Sequence, residues 1–141
     1  MEGRAAGREL STAVVAFHEA VGASLGVTAV DQRALAVIAG AGSVSAGDLA
    51  KEIGLTPGAV TGVVDRLERA GLAHRAPDPA DRRRLVITAA PGAFGKVFAG
   101  LDAAMAKLMA RYSPAEQAVI ADWVTNTATV LREQTRRLTK R

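Results

Sequence analysis

The chain has 141 residues, of which 49% are hydrophobic and 23% charged. That is one domain's worth of ordinary globular composition, which excludes wholesale disorder. It has no cysteine, which excludes a disulfide scaffold, a zinc–cysteine site and thiol redox sensing. The net charge is +4 and aromatic residues are 4%, so a polyanion partner is admissible but a base-stacking single-strand binder is not favoured.

The first predicted helix runs from about Arg8 to Leu25, with Leu10, Val14, Phe17 and Val21 on one face and Gly26 as its stop. Thr28-Ala29-Val30-Asp31 and Ser45-Ala46-Gly47-Asp48 place a hydroxyl three residues before an acid, a capping-box-like start with Asp in place of Glu. The helix after Thr28 carries Leu35, Val37 and Ile38 and fades in Gly40–Gly42. Ser43-Val44 leaves room for a very short strand only.

Residues Ala46 to Leu67 read as two short helices with a tight turn. Leu49, Ala50 and Ile53 form one apolar face, Gly54 ends that helix, and Leu55 packs in the turn. Thr56-Pro57 starts the next helix in a cap-then-proline pattern. Val60, Val63 and Leu67 form its buried face, and Gly71 stops it. The small Ala50 lets the helices cross closely, so the pair suits a helix-turn-helix. In that arrangement Thr56, Gly58, Ala59, Thr61 and Gly62 point outward at the N-terminal end, where a recognition helix meets the major groove.

Leu72–Arg75 and Leu85–Thr88 are strand candidates, separated by a turn with two prolines. The hairpin has a basic tip, Arg82-Arg83-Arg84. A basic hairpin directly after a helix-turn-helix reads as a wing, placed to follow the backbone and enter the minor groove.

Two long helices complete the chain. Phe94, Phe98, Leu101, Met105, Leu108 and Tyr112 alternate at four and three, as do Ile120, Val124, Thr127, Leu131, Gln134 and Leu138. Ser113-Pro114-Ala115-Glu116 is a full capping box with proline at the first helical position. These seams and that of the first helix are longer than a winged lobe can cover. Pairing across a two-fold axis would bury them, with two recognition helices roughly 34 Å apart on a palindromic site. The competing reading is an intramolecular bundle.

The stretch Gly26–Pro91 resembles the DNA-binding lobe of the MarR (multiple-antibiotic-resistance regulator) family. The resemblance is carried by "VTAVDQRALAVIA", "SAGDLAKEIGLTPGAVTGVVDRLERAGLAHRAPDPADRRR" and "LVITAAPGA". It implies a mainly α fold with a small β-hairpin wing, a winged helix-turn-helix lobe on a helical dimerisation hub. The division would be 1–27 for the first hub helix, 28–90 for the winged lobe and 91–141 for two further hub helices. It implies a homodimeric regulator of transcription, most often a repressor, bound to double-stranded palindromic DNA and released by a small, often aromatic effector. The groove-reading positions fall on Thr56, Gly58, Ala59, Thr61 and Gly62. Asp81 would orient an arginine at the wing base, Arg83 would enter the minor groove, and Arg66 would brace the recognition helix or contact a phosphate. Two departures from the family pattern are Gly62, where many members carry a larger polar or basic residue, and Ala89-Ala90, where Leu-Thr usually closes the wing.

Phe17, Leu35, Phe94, Phe98 and Trp123 are candidates to line an effector pocket, with plain core or dimer interface as the competing reading. His18 and His74, without cysteine or an acidic cluster at ligand spacing, do not suggest a metal site. Ser43, Ser45 and Ser113 stand in no catalytic arrangement and the glycines form no P-loop, so neither an enzyme nor a cofactor is expected. No apolar run reaches bilayer-spanning length and MEGRAAGREL holds no signal core, so no membrane partner and a cytoplasmic location are expected. Two further readings are a protein-interaction winged helix without DNA binding, suggested by the sparse Gly58, Ala59 and Gly62, and a nonspecific DNA-coating protein.

Overall fold

A computed structural model describes residues 2–140, the side chain of Phe94 excepted. The elements are α1 (Glu2–Leu25), α2 (Ala29–Ala41), β1 (Ser43–Ser45), α3 (Ala46–Ile53), α4 (Pro57–Arg69), β2 (Ala73–Pro77), β3 (Leu85–Ala89), α5 (Ala93–Met109) and α6 (Pro114–Thr139). By internal contacts the chain falls into two compact units, Met1–Phe98 and Ala99–Arg141.

Local capping chemistry sets most of the helix starts. Thr28 and Asp31 form a reciprocal capping box on α2, and Ser113 and Glu116 do the same on α6. Ser45 accepts from Asp48 N, and Thr56 accepts from Ala59 N, each satisfying one orphan donor of α3 and α4. Between those two helices Gly54 adopts φ 70° and ψ 36°, the left-handed conformation that glycine enters without steric cost. The guanidinium of Arg33 on α2 donates to Ile53 O, closing the C-terminal end of α3 at the same turn.

The unit up to Phe98 has one core. Leu35 and Ile38 of α2, Leu49 and Ile53 of α3, and Val60, Val63, Val64 and Leu67 of α4 pack with Leu72 and Ile87. The three strands form an antiparallel sheet in the order β1-β3-β2. Val44 faces Ile87, and Arg75 of β2 faces Ile87 from the other side.

Several boundaries differ from the sequence reading. Helix α1 begins at Glu2 rather than near Arg8, because Glu2, Arg4, Ala5 and Ala6 are good helix formers and outweigh Gly3 and Gly7. Strand β2 starts one residue later, since Leu72 N donates to Leu67 O in the turn and its side chain is buried. It also runs on to Pro77, opposite Leu85; proline is admissible there because β2 is an edge strand. Helix α5 stops at Met109, not Tyr112: Arg111 N and Tyr112 N donate to the carbonyls of Leu108 and Met109, a tightened turn leading to Ser113.

Helix α1 approaches the start of α2 at Gly22. A Cβ there would stand 2.3 Å from Val27 O, and main-chain oxygen has no rotamer by which to move aside. One turn earlier, His18 Nδ1 bonds Gln32 Oε1 at 2.6 Å while Gln32 Nε2 donates to His18 O at 2.8 Å. The Gly22→Ala variant is therefore expected to lose about 1–3 kcal/mol of stability, the range for overpacking. Urea unfolding of the variant and the parent protein measures it.

Candidate nucleic-acid interface

Helix α4 turns Val60, Val63, Val64 and Leu67 into the core. With about 100° per residue, Gly58, Gly62, Asp65 and Arg69 fall on the opposite face. Thr56, Gly58, Ala59 and Thr61 are exposed, and Gly62 is half-buried. The outward surface at the N-terminal end is thus built from small side chains over a bare helix backbone. Thr56 Oγ1 is occupied as the cap acceptor for Ala59 N, at 3.2 Å. Val60 N bonds Thr56 O, and Pro57 has no N–H, so Gly58 N–H is the donor left over in this turn. Thr61 Oγ1 donates to Pro57 O at 3.3 Å. Its lone pairs and methyl group are what it offers outward, which suits a base amino group or a thymine methyl.

Asp31, on α2, is fully buried. Its carboxylate accepts from Thr28 N at 2.7 Å, from Arg66 Nε at 2.8 Å and from Arg66 Nη2 at 3.0 Å. Arg66 therefore braces α4 against α2 through a bidentate pair. The hydrogen bond to Asp31 raises the Arg66 pKa above its already high ordinary value, against the opposing effect of desolvation. A Cβ on Gly62 would lie 3.3 Å from Arg66 Nη1, so the glycine leaves room for the guanidinium to lie along the helix.

The wing loop spans residues 78–84. Asp78 N donates to Arg84 O at 2.8 Å and Arg84 N to Asp81 O at 3.0 Å. Two side chains tighten it further: Asp78 Oδ1 accepts from Ala80 N, and Asp81 Oδ1 accepts from Arg83 N at 3.1 Å. Asp81 thus orients Arg83 through its main chain rather than through its guanidinium. Arg82, Arg83 and Arg84 are exposed, and among the described residues none of them forms an ion pair.

Sequence reasoning missed three arginines. Arg33 is spent on the α3 terminus. Arg69 shares the outward face of α4 and is exposed. Arg75, on β2, pairs with both Asp65 and Glu68 of α4. Strand alternation gave the signal for Arg75: it lies on the same side of β2 as the buried Ala73, toward α4, where two acids stand three residues apart.

The effector candidates divide. Leu35 is 1% exposed, inside the core between α2 and its neighbours, and offers no surface to a ligand. Phe17 and Phe98 have ring centroids 6.2 Å apart, with His18 edge-on to both. Trp123 is 57% exposed on α6. The side chain of Phe94 lies outside the described residues.

The profile of the MarR family matches residues 25–84, from the end of α1 to the last wing arginine. The uncharacterized HTH-type transcriptional regulator YcgE of Bacillus subtilis (strain 168) is 37% identical over 134 residues, covering 93% of this chain and 87% of that protein. The chain belongs to the MarR family. As a MarR-family transcriptional regulator it is a winged-helix protein and not an enzyme. The structure of RV1404 from Mycobacterium tuberculosis aligns with a TM-score of 0.68 at 24% identity, covering 89% of this chain and 90% of that one. Streptococcus pneumoniae FabT in complex with DNA aligns with a TM-score of 0.64 at 21% identity, covering 93% and 98%. At those identities the likeness is one of fold.

Both departures from the MarR pattern acquire a local meaning. Gly62 accommodates Arg66. At Ala89-Ala90, Ala90 N pairs with Leu72 O, and α5 opens after Gly92, whose carbonyl accepts from Lys96 N but which has no side chain to cap the helix. The brace is testable. Asp31→Asn keeps the side-chain shape but removes the charge facing Arg66. Breaking a buried pair costs about 3–5 kcal/mol, and Arg66 is partly solvated, so a loss of about 2–3 kcal/mol is expected in urea unfolding.

Proposed function

We propose that this MarR-family protein is a sequence-specific regulator that binds double-stranded DNA. The observation that carries this is the pairing of two surfaces: an N-terminal stretch of α4 with exposed small side chains, and a wing whose three consecutive arginines face solvent and, among the described residues, form no ion pair. The first admits close approach to base edges; the second supplies phosphate and minor-groove contacts. The neighbour FabT, solved with DNA, supports the same use of the fold.

The functional unit in this proposal is a homodimer on a palindromic operator. Leu10, Val14 and Val15 of α1 are exposed in the single chain, as are Leu101, Met105 and Leu108 of α5 and Val124, Leu131 and Leu138 of α6. Apolar faces of this extent are uncommon on monomers and mark an interface, and a two-fold axis would bury each against its own copy. The hub would then comprise residues 1–27 and 91–141, and the winged lobe residues 28–90. Repression relieved by a small aromatic or hydrophobic effector completes the reading, with Phe17 and Phe98 as the aromatic surface such a ligand would meet. The site of action is the cytoplasm. Among the described residues no single helix is long and apolar enough to cross a membrane.

A second reading has one observation in its favour. Gly58, Ala59 and Gly62 leave α4 with few base-reading groups, as a winged helix devoted to protein contacts would have. The unpaired wing arginines have no place in that reading.

Two substitutions test the proposal. Arg83→Ala is expected to weaken binding to every duplex and to reduce the slope of log K against log salt by about one, the signature of a lost phosphate contact. Equal slopes for variant and parent would show that the wing does not touch DNA. Thr61→Ala is expected to alter the ranking of operator variants by about 1 kcal/mol at one base pair. An unchanged ranking across a panel of single-base variants would remove Thr61 from base readout.

A further inference from the structure

The outward face of α4 carries a negative charge that the DNA-binding reading must accommodate. Asp65 is exposed on that face, between Gly62 and Arg69, and Glu68 lies beside it. Two carboxylates at a groove-reading helix repel phosphate unless they are masked. Arg75 masks both. Its Nη2 pairs with Asp65 Oδ1 at 2.9 Å, its Nη1 pairs with Glu68, and Nη2 also lies 3.5 Å from Thr61 O. The Arg75 side chain is about one-third exposed.

Arg75 sits two residues before the end of β2, at Pro77, where the strand hands over to the wing loop. The same contacts that neutralise the acids therefore tie the strand that leads into the wing loop of Arg82–Arg84 to the helix that reads the groove. On its other flank α4 is held by the Asp31–Arg66 pair. The helix is clamped on both sides by arginines whose charges are already engaged by carboxylates.

We infer that Arg75 is a positioning residue for DNA binding: it masks Asp65 and Glu68 and pins the wing strand to α4, without contacting DNA itself. This rests on the DNA-binding reading above. Arg75→Ala leaves two uncompensated carboxylates beside the groove and frees the wing strand from the helix. Affinity is expected to fall by about tenfold, within the range of coupling between contacting residues. Removing the carboxylates in that background, as Arg75→Ala with Asp65→Asn and Glu68→Gln, is expected to recover the part of the loss that comes from repulsion. The same pair of substitutions in the parent protein also frees the wing strand but leaves the Arg75 charge facing the duplex in place of the acids, so its affinity is expected to fall less than that of Arg75→Ala. Arg75→Lys, which keeps a charge between the acids, is expected to bind better than Arg75→Ala.

The test measures binding of the full-length chain to one fixed mixed-sequence duplex over a salt series, with folding of each variant checked by circular dichroism. If Arg75→Ala does not fold, Arg75→Gln takes its place. Parent protein that fails to bind the duplex at low salt overturns the DNA-binding reading, and this inference falls with it. Parent protein that binds while Arg75→Ala binds equally well overturns the inference alone. A weakened Arg75→Ala that the two added substitutions do not rescue also overturns it; a salt slope lower by about one would then identify Arg75 as a phosphate contact. Rescue, with the parent slope retained, supports it.

Discussion

The carboxylate of Asp31 is the point on which the winged helix-turn-helix depends. It is fully buried, and the hydrogen bonds that both of its oxygens accept offset the cost of burying the charge. It closes the capping box of α2 with Thr28 and holds Arg66, 35 residues away in sequence, through two hydrogen bonds. One side chain thus starts α2 and fixes α4 to it. Arg66, with its pKa raised by that hydrogen bond, stays charged at any working pH. The pair adds geometric definition to a contact that the apolar core, through Leu35, Val60, Val63 and Leu67, already drives.

With α4 fixed, the rest of the interface is a question of what is left free. Arg33 caps α3, Arg66 is held by Asp31, and Arg75 is held by Asp65 and Glu68. Among the described residues the wing arginines form no ion pair, and their loop is stiffened by main-chain and Asx-type hydrogen bonds. The structure separates arginines that shape the lobe from arginines available to a polyanion. Net charge alone does not make that distinction; position and partner do. Small residues on the outward face of α4 follow the same economy: in the proposed complex they would let the helix backbone come close to DNA.

Much of this was legible in the residues because capping and turn chemistry are local. Thr28, Ser45, Thr56 and Ser113 each cap the helix their sequence context indicates. The helix-turn-helix and the basic hairpin follow from spacing and punctuation, and the room left at Ser43-Val44 for a very short strand is taken by β1. What was not legible depends on tertiary partners. The Asp31–Arg66 and Arg75–Asp65 pairs join residues whose proximity only the packed fold creates. Leu35 was a candidate ligand contact because an apolar residue on a helix does not declare which neighbour covers it; it is core. Tyr112 continued a heptad-like spacing past the end of α5 because the periodicity ignores the tightened turn before Ser113.

Selection of bound duplexes from a random-sequence pool, by purified protein near physiological salt, tests the central claim most directly. The account predicts recovery of a palindrome whose half-sites lie about one helical turn apart, since two recognition helices related by a two-fold axis read successive major grooves on one face. Retention of duplexes with no shared motif, or no retention at all, would contradict it.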